Sequence, residues 1–142
     1  MLNTQGFFYR ALHLKQNGYK GKNEPLMDKR GIGNDREEMV SSYLTKNGVR
    51  ILDRNFLTKH GEIDIVGISD DYLTFFEVKY RKNVRNGYPL EAVTYSKQKS
   101  IIQSAKVYMY LKHFPTDTPV RFDCIGVLNS QIEWIKNAFE AF

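Results

Sequence analysis

The 142-residue chain contains one cysteine, Cys124, and three histidines, His13, His60 and His113, scattered along its length. A lone thiol cannot form a disulfide within the chain, and these histidines fit no Cys/His zinc spacing. No apolar run is long enough to cross a bilayer, and Gln5, Gly6, Arg10 and Lys15 break the start of the chain before a secretion-signal core can form. Disulfide scaffolds, zinc fingers and membrane anchors are therefore excluded, and a soluble, cytoplasmic protein is predicted. Charge of one sign is also scarce. The 21 basic and 16 acidic side chains leave a net charge of +5. Residues 1–33 hold six of the basic and two of the acidic groups, so most of the excess lies in the leader. Such a distribution permits a nucleic-acid partner without defining a site for one.

With 42% hydrophobic and 26% charged residues, the chain has the composition of a single globular domain able to bury a core. Residues 1–30, with Gly6, Gly18, Gly21 and Pro25 and no sustained period, read as a poorly ordered basic arm carrying at most a short helix near 7–14. Residues 31–142 read as the folded domain. Val40, Tyr43 and Leu44 mark a helical stripe of about four turns, with Asn34 or Asp35 as its N-cap and Gly48 as its stop. Strands are predicted at 50–56, 62–68 and 72–80, joined by connections short enough to make them antiparallel neighbours. A basic turn follows, with Arg81, Lys82, Arg85, Gly87 and Pro89. A second helix is predicted over 96–114, capped by Ser96, with Ile101, Ile102, Ala105, Tyr108, Met109 and Leu111 facing the core. Beyond Pro115 and Pro119 come a strand at 120–128, a short one at 132–135 and a brief C-terminal helix. The order αβββαβ predicts an α/β domain with one mixed sheet flanked by helices, the long second helix carrying the chain to a parallel strand.

The segment Phe75-Phe76-Glu77-Val78-Lys79-Tyr80 concentrates the chemistry. Strand alternation puts Glu77 and Lys79 on one face and Phe76 and Val78 on the other. Alone, this is an ordinary solvent-face pair. In the preceding strand, alternation sets Ile63 and Ile65 one way and Glu62 and Asp64 the other, so paired strands bring Asp64 beside Glu77. Two adjacent carboxylates repel unless one takes a proton or a cation sits between them, and oxygen donors of this kind suit Mg²⁺ or Mn²⁺. On the first helix, Glu37 falls on the side of Val40 and Leu44, whereas Glu38 aligns with Ser41, Ser42 and Thr45 on the polar side. Lys97 opens the second helix, where a cation opposes the macrodipole and an anionic partner such as phosphate relieves it. Arg81, Lys82 and Arg85 follow the candidate strand and, with Tyr80 and Tyr88, are placed to track a nucleic-acid backbone. Arg121 and Asp123 read as a supporting ion pair, and Trp134 as core.

An acid on the leading helix, then Asp64, then Glu77-Val78-Lys79 in an αβββαβ order resembles the PD-(D/E)xK nuclease superfamily with its restriction-endonuclease-like fold. Gly33, Glu37, Tyr43-Leu44, Gly48, Arg54-Asn55, Gly61-Glu62-Ile63-Asp64-Ile65-Val66, Phe76-Glu77-Val78-Lys79-Tyr80-Arg81, Ser96-Lys97 and Arg121-Phe122-Asp123 together resemble the bacterial YraN-like family of that superfamily. The proline of the superfamily's name is replaced by Ile63. The resemblance implies Asp64 and Glu77 as metal-binding acids, the Val78 carbonyl as a further ligand, Lys79 as the water-positioning lysine and Glu37 as the outer catalytic acid. It implies a Mg²⁺-dependent endonuclease, with Mn²⁺ as a substitute, acting on DNA at branched or processed structures, with a homodimer expected for a two-fold junction. A nuclease-like fold retained for nucleic-acid binding without cleavage is the alternative. RNA stays open as a substrate, because a phosphate site does not itself distinguish the sugar.

Overall fold

A computed structural model of the chain describes residues 31–81 and 93–141. The expected basic arm at 1–30 and the basic turn residues Lys82, Arg85, Gly87, Tyr88 and Pro89 lie outside the described residues. The elements run α1 (Gly31–Lys46), β1 (Arg50–Thr58), β2 (Gly61–Ser69), β3 (Tyr72–Arg81), α2 (Tyr95–Leu111), β4 (Val120–Leu128) and β5 (Gln131–Phe139). The five strands form one sheet in sequence order. All neighbours are antiparallel except β3 and β4, which are parallel because α2 crosses between them. The described residues are thus α/β, with a five-stranded mixed sheet and two helices, compatible with a restriction-endonuclease-like core. Among the described residues no helix is long and apolar enough to cross a membrane.

Local chemistry sets the element ends. Gly48 takes φ +87, a conformation open to glycine, and the chain closes α1 as a Schellman turn. There, Val49 N–H donates to the Leu44 carbonyl (3.0 Å) and Gly48 N–H to the Thr45 carbonyl (3.2 Å). The β2–β3 hairpin turns through Asp70 and Asp71 with φ of 49° and 67°, the left-handed pair that a two-residue turn requires to match strand twist. In α2 the N-cap is Thr94, not Ser96: its side chain accepts from Lys97 N–H, so Ser96 and Lys97 both lie in the first turn.

Each sheet face is covered by one helix. Ile101, Ile102, Ala105 and Tyr108 of α2 pack on Ile63, Val66, Leu73, Phe75 and Phe122. Val40 and Leu44 of α1 pack on Ile65, Phe76, Val78, Ile125 and Val127. Phe75 and Phe76 are each fully buried and belong to opposite clusters, so β3 is a central strand wetted on neither face. Leu111, expected in the core, is 55% exposed at the last position of α2.

The C-terminal segment departs most from expectation. A single strand runs to Phe139 in place of a short strand and a brief helix. Pairing with β4 extends from Leu128↔Gln131 to Phe122↔Phe139, and the Phe122 and Phe139 rings stack at 5.1 Å. Asn137 absorbs the irregularity at φ 52, its N–H donating to Asp123 Oδ1. The ladder and the ring contact together outweigh the weak helical preference of so short a segment.

Candidate active site

The β2–β3 ladder runs from Ser69↔Tyr72 to Ile65↔Phe76. At the next position a side chain replaces a backbone acceptor: Val78 N–H donates to Asp64 Oδ2 at 2.7 Å. On the other side of Asp64, β1 pairs through Arg54↔Ile65 and Phe56↔Ile63, and the intervening Asn55 is left-handed at φ 51. Both strands change phase here. Ile65 belongs to the α1 cluster and Ile63 to the α2 cluster, so the expectation that they share a face is corrected. The left-handed Asn55 backbone rotates the strand pair by half an alternation, and Asp64 sits at the point of rotation.

Glu77 follows simple alternation. It points to the α2 side with only 2% exposure. Its Oε1 lies 3.0 Å from Lys79 Nζ and 3.6 Å from Lys97 Nζ, the latter reaching over from the first turn of α2. Its Oε2 is buried and has no hydrogen-bond partner. An unmet carboxylate oxygen in the interior is costly. Burial first, repulsion by Glu77 second and a hydrogen bond with the Glu77 side chain last push Asp64 up to about 7, against the opposing pull of the Val78 N–H and the Lys97 charge.

A second group of side chains surrounds Asp64. Glu37, Ser41, Arg54, Asn55, Asp64 and Tyr80 line a cavity of about 60 Å³, room for ordered water. Glu37 is exposed and accepts from Asn55 Nδ2 at 3.5 Å, while its neighbour Glu38 pairs with Arg54 at 3.0 Å. Ser41, expected on the polar side of α1, is 2% exposed and its Oγ has no partner. The reason is the helical step from Glu37: four residues on, Ser41 lies on the same inward edge. Tyr80 lies under Arg36, 5.9 Å from guanidinium to ring centre, and its phenol is pushed up to about 12 by burial and then by the charges of Glu37 and Asp64.

The other predicted residues divide. Arg81 turns its guanidinium back on its own strand, Nη1 donating to the Tyr80 carbonyl at 3.2 Å. Lys82 and Arg85 lie outside the described residues. Sequence reasoning missed Ser41 as part of the site, and had Asn55 only as a motif residue and Tyr80 only as an aromatic of the nucleic-acid groove. Asparagine at 55 carried a further signal, since it tolerates left-handed backbone better than most residues.

The α2 N-terminus is held over Glu77 by a polar seam to the β1–β2 hairpin. Ser100 Oγ donates to the His60 carbonyl, Thr58 Oγ1 and Ser104 Oγ are 2.7 Å apart, and a Cβ on Gly61 would lie 2.5 Å from Ser100 Oγ. Arg121 and Asp123 form an ion pair on β4, opposite Thr74 and Phe76 of β3. Nε donates to Oδ1 and Nη2 to Oδ2, both at 2.8 Å, and Trp134 Nε1 adds a third bond at 2.8 Å.

The donor set fits a small hard cation. Among the described residues no three acidic, histidine or cysteine side chains cluster, so the two neighbouring carboxylates Asp64 and Glu77 are the acidic donors of this site. That is the number Mg²⁺ typically takes from protein, keeping water in its remaining positions. The orphaned Glu77 Oε2 supplies the observation that something positive belongs there.

Comparison with known proteins identifies a family. The model of the uncharacterised protein family UPF0102 matches residues 36–127, a span containing Glu37, Asp64, Glu77, Lys79 and Lys97. The chain belongs to the UPF0102 family. This is the YraN-like group that the motifs resembled. A UPF0102 protein of Lachnoclostridium phytofermentans is 45% identical over 116 residues, covering 82% of this chain and 98% of the relative. UPF0102 proteins of Vibrio parahaemolyticus and Clostridioides difficile are 42% and 41% identical over 115 residues, covering 80% of this chain and 95% and 100% of those relatives. Similarity thus extends over nearly the whole of each UPF0102 relative.

The Asp64 environment predicts an inverted pH response for the metal-free protein. In the unfolded chain Asp64 releases its proton near 3.8, whereas the folded chain holds it to about 7. The folded state binds the extra proton between those values, so this group's contribution to stability falls as pH rises through the window and is fully lost above about 7. Asp64→Asn, whose amide mimics the protonated acid, should remove a fall on the order of 2–4 kcal/mol. Urea unfolding of both proteins in EDTA from pH 4 to 8 checks this; parallel curves would reject it.

Proposed function

We propose that the protein is a metal-dependent nuclease that hydrolyses phosphodiester bonds in DNA. The observation that carries this reading is the buried, unpartnered Glu77 Oε2, set beside Asp64 and on the same carboxylate as the Lys79 ion pair. Asp64 and Glu77 would hold Mg²⁺ or Mn²⁺, with the Val78 carbonyl as the third donor. Such a cation, when bound, activates water as a nucleophile and offsets charge building on the phosphate. The chain's own groups do the positioning. Lys79, held 3.0 Å from Glu77 Oε1, presents an ammonium that orients the attacking water and stabilises phosphate charge. Glu37, on the far side of Asp64, orders water in the cavity it lines with Asn55 and Tyr80. The Val78 N–H fixes the Asp64 carboxylate by holding Oδ2, which leaves Oδ1 as the oxygen for a cation. Backbone phosphates would be met by Lys97, with Lys82 and Arg85 following β3 in the chain; Arg81 would join them only on releasing the Tyr80 carbonyl.

A cleavage assay tests the reading. Linear, flapped, single-stranded and four-way-junction DNA, with matched RNA, are incubated with Mg²⁺ or Mn²⁺ and either wild type or Asp64→Ala. Metal-dependent cutting of DNA that is lost in the variant is the expected result, and preference for the junction would call for measuring the oligomeric state. Salt-dependent binding without a cleaved product across the panel would overturn it in favour of a recognition module.

A further inference from the structure

Glu77 is shared by two ammonium groups of different standing. Lys79 comes from the same rigid strand, two residues on, and approaches Oε1 at hydrogen-bond distance, 3.0 Å. Lys97 comes from a different element, stops at 3.6 Å and keeps 32% of its side chain exposed. The longer contact, the open path to solvent and the four-carbon stem make Lys97 the partner that can leave. It also sits badly where it is. A cation in the first turn of a helix meets the positive end of the macrodipole, and no acidic residue occupies that turn of α2. A phosphate in front of this helix end would be a better partner than Glu77, because it meets both the ammonium and the helix dipole without burying charge.

The same ammonium also competes with any divalent cation for Glu77. We propose that Lys97 couples the two ligands: without DNA it neutralises Glu77 and holds off the divalent cation, and a backbone phosphate that draws its ammonium away raises the cation affinity of the site. This deepens the nuclease reading and rests on it. Coupling of this kind is reciprocal, so a cation must tighten DNA binding by the factor that DNA tightens cation binding. It would keep the metal centre incompletely loaded until substrate arrives.

The test uses the full chain and Mn²⁺, with free ion read by electron paramagnetic resonance, so no turnover is needed. Lys97→Met keeps the apolar stem and deletes the charge. Lys106→Met deletes the same charge from the exposed surface of α2, about 13 Å further along the helix and beyond the screening length at physiological salt. Lys97→Met is expected to bind Mn²⁺ about tenfold more tightly than wild type, and Lys106→Met to match wild type. Fluorescence anisotropy with a hydrolysis-resistant phosphorothioate duplex, with and without Mn²⁺, should show a cation enhancement of DNA binding that shrinks about fivefold or more in Lys97→Met. Equal Mn²⁺ affinity in wild type and Lys97→Met overturns the coupling and leaves the nuclease reading standing. Failure of both wild type and Lys97→Met to bind Mn²⁺ at millimolar concentration, with and without the duplex, overturns both.

Discussion

Glu77→Gln is expected to lower metal-dependent cleavage about a thousandfold or more while leaving a folded protein. The change removes one negative charge at the position where a cation and the phosphate meet, an electrostatic contribution on the scale of 4 kcal/mol in a water-poor site. Folding should survive for a local reason. Glutamine keeps the shape, its amide can satisfy the oxygen that now lacks a partner, and Lys79 and Lys97 are exposed enough to regain water. Lys79→Met should cost about a hundredfold under the same conditions, with Mn²⁺ binding retained, because the lysine positions water and holds no cation. Single-turnover cleavage and Mn²⁺ titration on the same samples separate the two. Cleavage within threefold of wild type in Glu77→Gln would remove this carboxylate from the mechanism.

Asp123→Ala should be the most destabilising single change in the described residues, by about 3–5 kcal/mol. Asp123 is fully buried, and each of its oxygens accepts two bonds: Oδ1 from Arg121 Nε and Asn137 N–H, Oδ2 from Arg121 Nη2 and Trp134 Nε1. Deleting it strands a nearly buried guanidinium whose remaining partners are Ser69 and Asp70 at the β2–β3 turn. That loss is a large share of a typical domain's 5–15 kcal/mol, so the alanine variant is expected to express poorly. Trp134→Phe, which removes one of the four bonds and keeps the ring, gives the measurable form: a loss of about 1 kcal/mol in urea unfolding. No change in that variant, with Asp123→Ala folding normally, would show that the network is ornamental.

Much of the fold was legible because the middle of the chain obeys simple rules. Three strands of alternating pattern with short polar connections fixed the meander to within two residues at each end, and Pro119 marked the start of the parallel strand. The nearness of Glu77 and Lys79 followed from the same alternation, and the antiparallel hairpin brings Asp64 near Glu77 although alternation fails at Asp64 itself. What escaped the sequence was non-local or irregular. The phase change at Asp64 depends on the left-handed Asn55 in a different strand, and a period-2 pattern has no symbol for it. Thr94 won the cap from Ser96 through chain geometry rather than residue preference, since both types cap well. β5 was under-read because it is an edge strand with alternating exposure, and its register comes from contacts to Phe122 and Asp123.

The parallel pairing of β3 with β4 also sets an order of assembly. Asp64 and the Val78 amide meet through a hairpin, a contact that closes early because the loop is short. Glu77 gains its neighbour Cys124 only after the chain has laid down α2 and returned, a slow long-range closure. Lys97 travels on that crossover. The carboxylate pair is thus closed over a 14-residue hairpin span, whereas Lys97 lies 20 residues beyond Glu77, so the acids can come together before their α2 ammonium is seated.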